Sequence, residues 1–584
     1  MKQPTAKAKK AIDALQILLV AKDGTVKNEL PQQQIETGLE LLQSLVAGPE
    51  NTTKLRPDNQ FAIIPFLLPF TLAPQKIIAE TAASIVEGQL KNISSLHLLQ
   101  LQDRLRGGTW NLTAHLSKWN AMKFTHLSHF FQTNPLLVAM TSFHHNGYVR
   151  EAAVNYLNAQ QSGVELPYLL IRLTDWVPQV SEQAKTALKS RLQKDYLHHF
   201  VENLLLIELL SKKKRGSAPE AIASTVIAKI HEVIKEPENR PLLLKGLTAP
   251  TWETRRMCLK LLKIVRAEAL EGGADAENKL EKARFDARQV IEAVLAEKDV
   301  TNRLLIFDFA ADLAVDEQIA LMVRLGKDTA PSIRRNALEI LCRIDSQSNA
   351  KNLERGLLDR SPLVREFARF KLIQAGNGVD FRQFYLDKLQ SKPSAKIIAS
   401  ALAGLGEVGD EEDVEVLLKF FEHPQVAVRR FATLALGKLS PEDHDDIFLQ
   451  MLNQPSVGLS RAAACVISGL PEPVDGEVLF QIFEQTDWKH VKLNALRLFN
   501  SLPKWERISY LLMATTSKQS EVKKMAVAYV ESWGQRYRTT FQFSLPGAEQ
   551  QKIFQTACAQ TDYNFTPQVR ETLKTCLALP LANS

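Results

Sequence analysis

Along much of the chain the apolar positions fall into one recurring frame. In HPQVAVRRFATLALGKL (423–439), Val428 is followed by Ala432 four residues on and Leu436 eight on. Residues four apart lie on one stripe of an α-helix, and the small residue in the middle lets a neighbouring helix come close. The frame returns as Val149/Ala153/Leu157, Val180/Ala184/Leu188, Thr254/Cys258/Leu262, Ile333/Ala337/Leu341, Val364/Ala368/Leu372 and Ile397/Ala401/Leu405. It continues as Leu459/Ala463/Ile467, Val491/Ala495/Phe499, Val522/Ala526/Val530 and Val569/Leu573/Leu577. From Ile333 to Val522 the first residues of successive copies stand 31, 33, 31, 31, 32 and 31 apart. A period held this closely marks a repeat architecture.

A second amphipathic segment precedes each copy, such as EEDVEVLLKFFE (411–422) or NLERGLLD (352–359). Between the two lies a short turn with Pro, Asp or Gly: DTAPS, DRSPL, HPQV, QPSV. Proline there stops the first helix or sits in the opening turn of the second. Each unit therefore reads as helix A, tight turn, helix B. Neither helix can bury its stripe alone, and stacking the units buries a continuous core. The expected fold is an all-α, right-handed superhelical solenoid of roughly 14 to 16 helix pairs, with no sheet.

These units resemble HEAT repeats, in the short variety of phycobilisome-lyase-like HEAT proteins. The residues that carry the resemblance are the Asp–x–x–x–x–Val–Arg element, as in Asp359–Val364–Arg365 and Asp328–Ile333–Arg334, and the Ala that follows. It runs over 316–535 and 133–190 and is looser in between. The resemblance implies a scaffold, and in such stacks helix B lines the concave face. It implies no single activity, because HEAT repeats serve transport receptors, phosphatase scaffolds, bilin lyases and DNA glycosylases.

Departures from the period suggest the domain layout. Residues 1–130 look helical but off-register, and are expected to form a divergent capping region. LRGGTWNLTAHLSKW (105–119) breaks the pattern most sharply. Residues 131–315 are expected to hold repeats with insertions, since the steps from Val180 to Thr254 and from Thr254 to Ile333 each fit two units plus extra residues. The insertions are SKKKRGSAPE (211–220) and ALEGGADAENK (269–279). Residues 316–535 are the regular array. Residues 536–584 form a last, capping repeat interrupted by YRTTFQFSLPG (537–547).

Bulk properties narrow the class. At 584 residues the chain exceeds one ordinary globular core. Net charge is +7, mild for a dedicated nucleic-acid binder of this length. The five cysteines (Cys258, Cys342, Cys465, Cys558, Cys576) are scattered and never in a CxxC pair, which fits small buried hydrophobes in a reducing compartment. The basic-then-apolar start, interrupted by Asp13, reads as a first helix rather than a leader. FAIIPFLLPFTLAP (61–74) is too short to span a bilayer and carries three prolines. A soluble, cytoplasmic protein is the expectation. The N-x-[ST] triplets at Asn51, Asn92 and Asn111 carry little weight without secretion.

Candidate chemistry centres on the basic residues after the first stripe residue. They form pairs at Arg255–Arg256, Arg334–Arg335, Arg429–Arg430 and Lys523–Lys524, and singles at Arg150, Arg365, Lys492 and Arg570. Recurrence at one register makes a ladder at the start of each helix B. One reading is a positive track for an acidic protein or a phosphate backbone. The other is structural: the first basic residue pairs with the turn aspartates Asp175, Asp328 and Asp359 and ties repeats together. The second position alternates between basic (Arg335, Arg430, Arg461, Lys524) and acidic (Glu151, Glu182, Glu366, Glu571), which argues against an unbroken phosphate track. The candidate partner-binding set is Arg150, Arg255, Arg256, Arg335, Arg365, Arg430, Arg461, Lys492, Lys524 and Arg570, with Lys212, Lys213, Lys214 and Arg215 in a basic loop.

Asp175–Trp176 invites comparison with the HEAT-like alkylpurine DNA glycosylases, which use an Asp and aromatic residues on a damaged nucleotide. Asp175 nevertheless occupies an ordinary turn position. His144–His145, His198–His199 and His444 lack metal-ligand spacing. No phosphate-binding glycine loop or nucleophile elbow occurs. The expectation is a non-enzymatic protein-binding scaffold, adaptor or inhibitor, and the resemblance to bacterial short-HEAT proteins implies an immunity-type role among the inhibitors. It has no cofactor, metal, small-molecule substrate or membrane insertion, and another protein is its partner. The alternatives are a DNA- or RNA-binding HEAT protein and a bilin-lyase-like chaperone.

Overall fold

Burial follows the repeated stripe. Every stripe residue named above is buried except Ile397 and Leu577, which are half-buried. The computed structural model describes residues 6–20, 27, 29–45, 61–91, 93–106, 116–212, 218–271, 287–344, 349–376, 378–391, 394–537, 545–561 and 564–578. Among these residues there is no strand, and no helix is long and apolar enough to cross a membrane. The chain divides into two units, 1–314 and 315–584.

The first unit contains α1 (Ala6–Leu19), α2 (Gln32–Ser44), α3 (Lys76–Leu90), α4 (Ser95–Arg106), α5 (Gly147–Asn158), α6 (Leu166–Arg172), α7 (Pro178–Ser190), α8 (Ala218–Lys235) and α9 (Trp252–Glu271), with shorter helices between. The apolar window 61–74 is core: Phe61, Ile64, Leu67, Leu68 and Phe70 are buried, and its short helices pack on α3. Pro65 and Pro69 sit in the opening turns of those helices, where no N–H is needed, and Pro74 follows the second of them.

Three copies of the stripe escaped the sequence reading, all in this unit. Ile78, Ala82 and Val86 of α3 are fully buried, so the N-terminal region is not wholly off-register. In α8, Val226, Ile230 and Ile234 are buried with an isoleucine in place of the small residue, and the helix packs on α7. The third copy starts on a polar residue. Asn302 is buried, followed by Ile306 and Ala310, and stands 31 residues before Ile333. Its amide donates to the Trp252 carbonyl at 3.1 Å and to Glu297 at 3.2 Å, which offsets the cost of burying it.

The second unit is a run of A/B pairs: α10 (Val315–Leu325) with α11 (Pro331–Ile344), α12 (Asn349–Leu357) with α13 (Pro362–Gln374), α14 (Phe381–Gln390) with α15 (Ala395–Val408), and α16 (Val414–Leu418) with α17 (Val426–Leu439). Then come α18 (Asp445–Leu452) with α19 (Val457–Ile467), α20 (Gly476–Gln485) with α21 (Lys489–Phe499), α22 (Lys504–Ala514) with α23 (Ser520–Tyr537), and α24 (Ala548–Gln560) with α25 (Pro567–Leu577). Each A helix packs on its own B helix, and each B helix on the next B helix. The tightest crossing is α15 on α17. A Cβ on Gly406 would meet the Ala435 Cα at 2.6 Å, so only glycine lets these backbones approach so closely.

Candidate interaction surface

Turns come first, because they decide which basic residues are free. Five residues before the first stripe residue, the turn presents a side chain that accepts a hydrogen bond from the main chain two residues on. Asp175 accepts from Val177 N–H at 3.1 Å, Asp328 from Ala330 at 2.7 Å and Asp359 from Ser361 at 2.7 Å. His423 Nδ1, Thr486 Oγ1 and Ser517 Oγ do the same for Gln425, Trp488 and Gln519. Short polar side chains that bond their own backbone stabilise such turns.

The first basic residue of helix B closes this turn and the next one together. Arg334 donates Nη1 to the Asp328 and Thr329 carbonyls of its own turn, at 2.8 and 3.1 Å. Its Nε and Nη2 fork onto the Asp359 carboxylate of the following turn, at 2.8 and 2.7 Å. Arg150 repeats the geometry on the His144 and His145 carbonyls and on Asp175, whose carboxylate also accepts from Arg172 at 2.7 Å. Arg255 does so on the Ala249 and Pro250 carbonyls and on Glu297. Arg365 bonds the Asp359 carbonyl and pairs with Glu407 instead of a turn residue. Arg429 keeps only the carbonyls of His423 and Pro424, because the next turn carries Gln454.

The consequences for the candidate residues differ sharply. The Arg150 and Asp175 side chains have no exposed surface, and Arg365 is nearly as buried. These arginines hold the stack and present nothing to a partner. Arg255 is largely engaged by Glu297, and Arg256 is half-buried. Arg335 is half-exposed, 4.8 Å from the Phe367 ring centroid and 3.4 Å from Glu339. Lys492 is half-buried and lies 5.0 Å from the Phe483 ring. Arg430, Arg461, Lys524 and Arg570 are exposed. Lys212 is exposed and pairs with Glu208 at 2.8 Å, while Lys213, Lys214 and Arg215 lie outside the described residues.

Two open grooves run between neighbouring B helices. One, of about 440 Å³, separates α11 from α13 and is lined by Arg335, Asn336, Leu363, Phe367 and Phe370. Phe370 and, beyond it on α13, Ile373 are 58% and 67% exposed, a large apolar area for solvent-facing positions. The other, of about 520 Å³, separates α19 from α21 and is lined by Val457, Arg461, Cys465, His490, Leu493 and Arg497. Sequence reasoning missed Phe370, Ile373, Cys465 and Arg497. Phe370, Cys465 and Arg497 stand one turn beyond the second position after the first stripe residue (Glu366, Arg461 and Leu493) on the same helix face, so the signal was present at i+4.

The same geometry fixes the surroundings of the other candidate side chains. The Asp175 carboxylate is saturated by two arginines and a backbone N–H. Burial alone would raise its pKa, but these partners hold it below the usual carboxylate value. That leaves no lone pair directed at a bound nucleotide, although Trp176 beside it is exposed. His144 is buried on the Trp119 carbonyl, and burial drives its pKa down to about 4, so it stays neutral. Cys258 and Cys576 are buried as expected, whereas Cys465 faces solvent in the α19/α21 groove. Among the described residues no cluster of His, Cys, Asp or Glu is placed to hold a metal ion.

Comparison with known proteins finds HEAT repeats in one stretch of the chain. Residues 383–467 match the model of HEAT repeats. Three solved structures are similar at low identity. Importin beta is 14% identical over 88% of this chain and 72% of its own, with a TM-score of 0.29. The karyopherin Kap121p bound to the SUMO protease Ulp1p is 12% identical over 97% and 68%, with a TM-score of 0.32. A C-terminal fragment of the Chaetomium thermophilum cohesin loader SCC2 is 11% identical over 97% and 59%, with a TM-score of 0.32. Likeness at this level carries nothing about partner or activity. No curated protein matches the sequence. The stretch that matches the family spans α15, α17 and α19, whose buried stripes and turns are those of the rest of the second unit; residues 383–467 are HEAT repeats.

Proposed function

We propose that the protein is a non-enzymatic scaffold, an adaptor or inhibitor, that binds another protein along its B-helix face in the cytoplasm. One observation carries this reading. The fold consumes Arg150, Arg334 and Arg365, while Arg430, Arg461 and Lys524, with Phe370 and Ile373 and the two grooves, are left facing solvent. Apolar anchors beside exposed arginines are the composition of protein-binding hot spots. None of the five cysteines forms a disulfide, which suits a reducing compartment.

The test is site-specific photo-crosslinking in native lysate from Phe370 and, separately, from exposed Lys419 on the A side, with and without nuclease. A single protein adduct from position 370 that survives nuclease and is lost in F370A/I373A supports the reading. Adducts equally strong from position 419, or removed by nuclease, reject it.

A further inference from the structure

Charge is sorted by layer between residues 410 and 500. Helices α17, α19 and α21 contain Lys, Arg and His but no Asp or Glu. Every acidic residue of this stretch lies in the A helices or the turns. Of the lysines and arginines there, only Lys419 lies outside those three B helices. The periodicity that builds the repeat does not require such sorting, since the outward positions of either helix tolerate both signs.

The cations on this face are available. Arg430, Arg461 and Arg497 make no ion pair among the described residues, nor does Lys524 on the next B helix, α23. Arg497 is held in place without being neutralised. It donates to Asn494 Oδ1 at 2.7 Å, and Asn494 donates in turn to the buried Ser460 hydroxyl at 2.9 Å. Between Arg461 and Arg497 the groove is lined by Val457, Ala464 and Leu493. The site therefore offers an apolar channel with a guanidinium on each wall.

We infer that the B face of α17, α19 and α21 binds an extended, acidic polypeptide segment of a partner protein, with apolar side chains in the α19/α21 groove. This rests on the protein-binding reading above and names the chemistry of the partner. Spacing supports it. Packed helices lie about 8–10 Å apart, so successive cations recur at about that interval. A polyproline II segment rises about 9 Å per three residues. An acidic residue at every third position meets Arg430 and then Arg461, passes Leu493 at the same register of α21, and meets Lys524 on α23, while Arg497 lies one helical turn away from Leu493 on α21. The acidic A helices beside the strip repel a long polyanion that overruns it, which favours a short acidic peptide over nucleic acid.

The experiment uses the full chain and fluorescein-labelled probes in anisotropy titrations at low and high salt. The probes are a peptide of Glu-Pro-Leu triplets, an isomer with its glutamates clustered, a Lys-Pro-Leu peptide, and a single-stranded oligonucleotide of matched charge. The triplet peptide is expected to bind tightest, and its affinity to fall by about tenfold or more in R461E/R497E. The A-face control E415K/E422K is expected to leave it unchanged. R461Q/R497Q repeats the test if the reversal perturbs folding, which melting reports. The inference is overturned if no acidic peptide binds, if R461E/R497E binds it as well as the wild type, or if the oligonucleotide binds tighter. A protein adduct from position 370 that persists while the peptide fails rejects this inference and leaves the protein-binding reading standing.

Discussion

At the scale of single residues, two arginines that look alike in the sequence have opposite duties. Arg150 lies inside, forked on Asp175, while Arg461 faces solvent. Removing one partner of a buried pair leaves an uncompensated charge, which costs about 3–5 kcal/mol. Arg150→Ala is expected to lose that much in denaturant unfolding, whereas Arg461→Ala changes stability by less than about 0.5 kcal/mol. Glu297 gives a pH signature. Its hydrogen bonds to Arg255 outweigh burial and lower its pKa from 4.5 to about 2. A depressed carboxylate stabilises the fold above its unfolded pKa and loses that contribution as pH falls through the folded one. Stability measured from pH 5 downward is expected to fall between about 4.5 and 2, and Glu297→Gln to remove this part of the slope.

At the scale of elements, the small residue in the stripe is a spacing device. Ala401, Ala432, Ala463, Ala495 and Ala526 are fully buried at one register. Gly406 extends the device where α15 crosses α17. Gly406→Ala puts a methyl group against a main-chain Cα, and the helices must separate. Overpacking of this kind costs about 1–3 kcal/mol. The substitution gains helix propensity, so a stabilised Gly406→Ala protein in thermal melting would contradict the close approach.

At the scale of the molecule, each A helix of the second unit packs on its own B helix and each B helix on the next, so the stability of that unit is approximately a sum of repeat and interface contributions. The second unit, 315–584, contains its own buried stripe from Ile333 to Leu573. Expressed alone, it is expected to remain helical by circular dichroism and to melt cooperatively. A molten, helix-poor 315–584 fragment would show that the stripe alone does not make a self-sufficient core.

Much of this was legible in the chain because the stripe is a local signal. An α-helix turns every 3.6 residues whatever it packs against, so Val428, Ala432 and Leu436 announce a buried face by spacing alone. The missed copies show where that signal weakens. Asn302 is polar and Ile230 is large, and only their packed surroundings reveal that they do the same work. The HEAT character of 383–467 and the all-α repeat were likewise in the sequence. Which arginines remain available for a partner was not. That depends on what the next turn sets opposite each guanidinium, Asp359 for Arg334 but Gln454 for Arg429. The sequence by itself determined the helices, their period and the residues that bury them. Only the tertiary structure decided which cations were spent on the stack and which face water, because pairing requires two turns brought together in space.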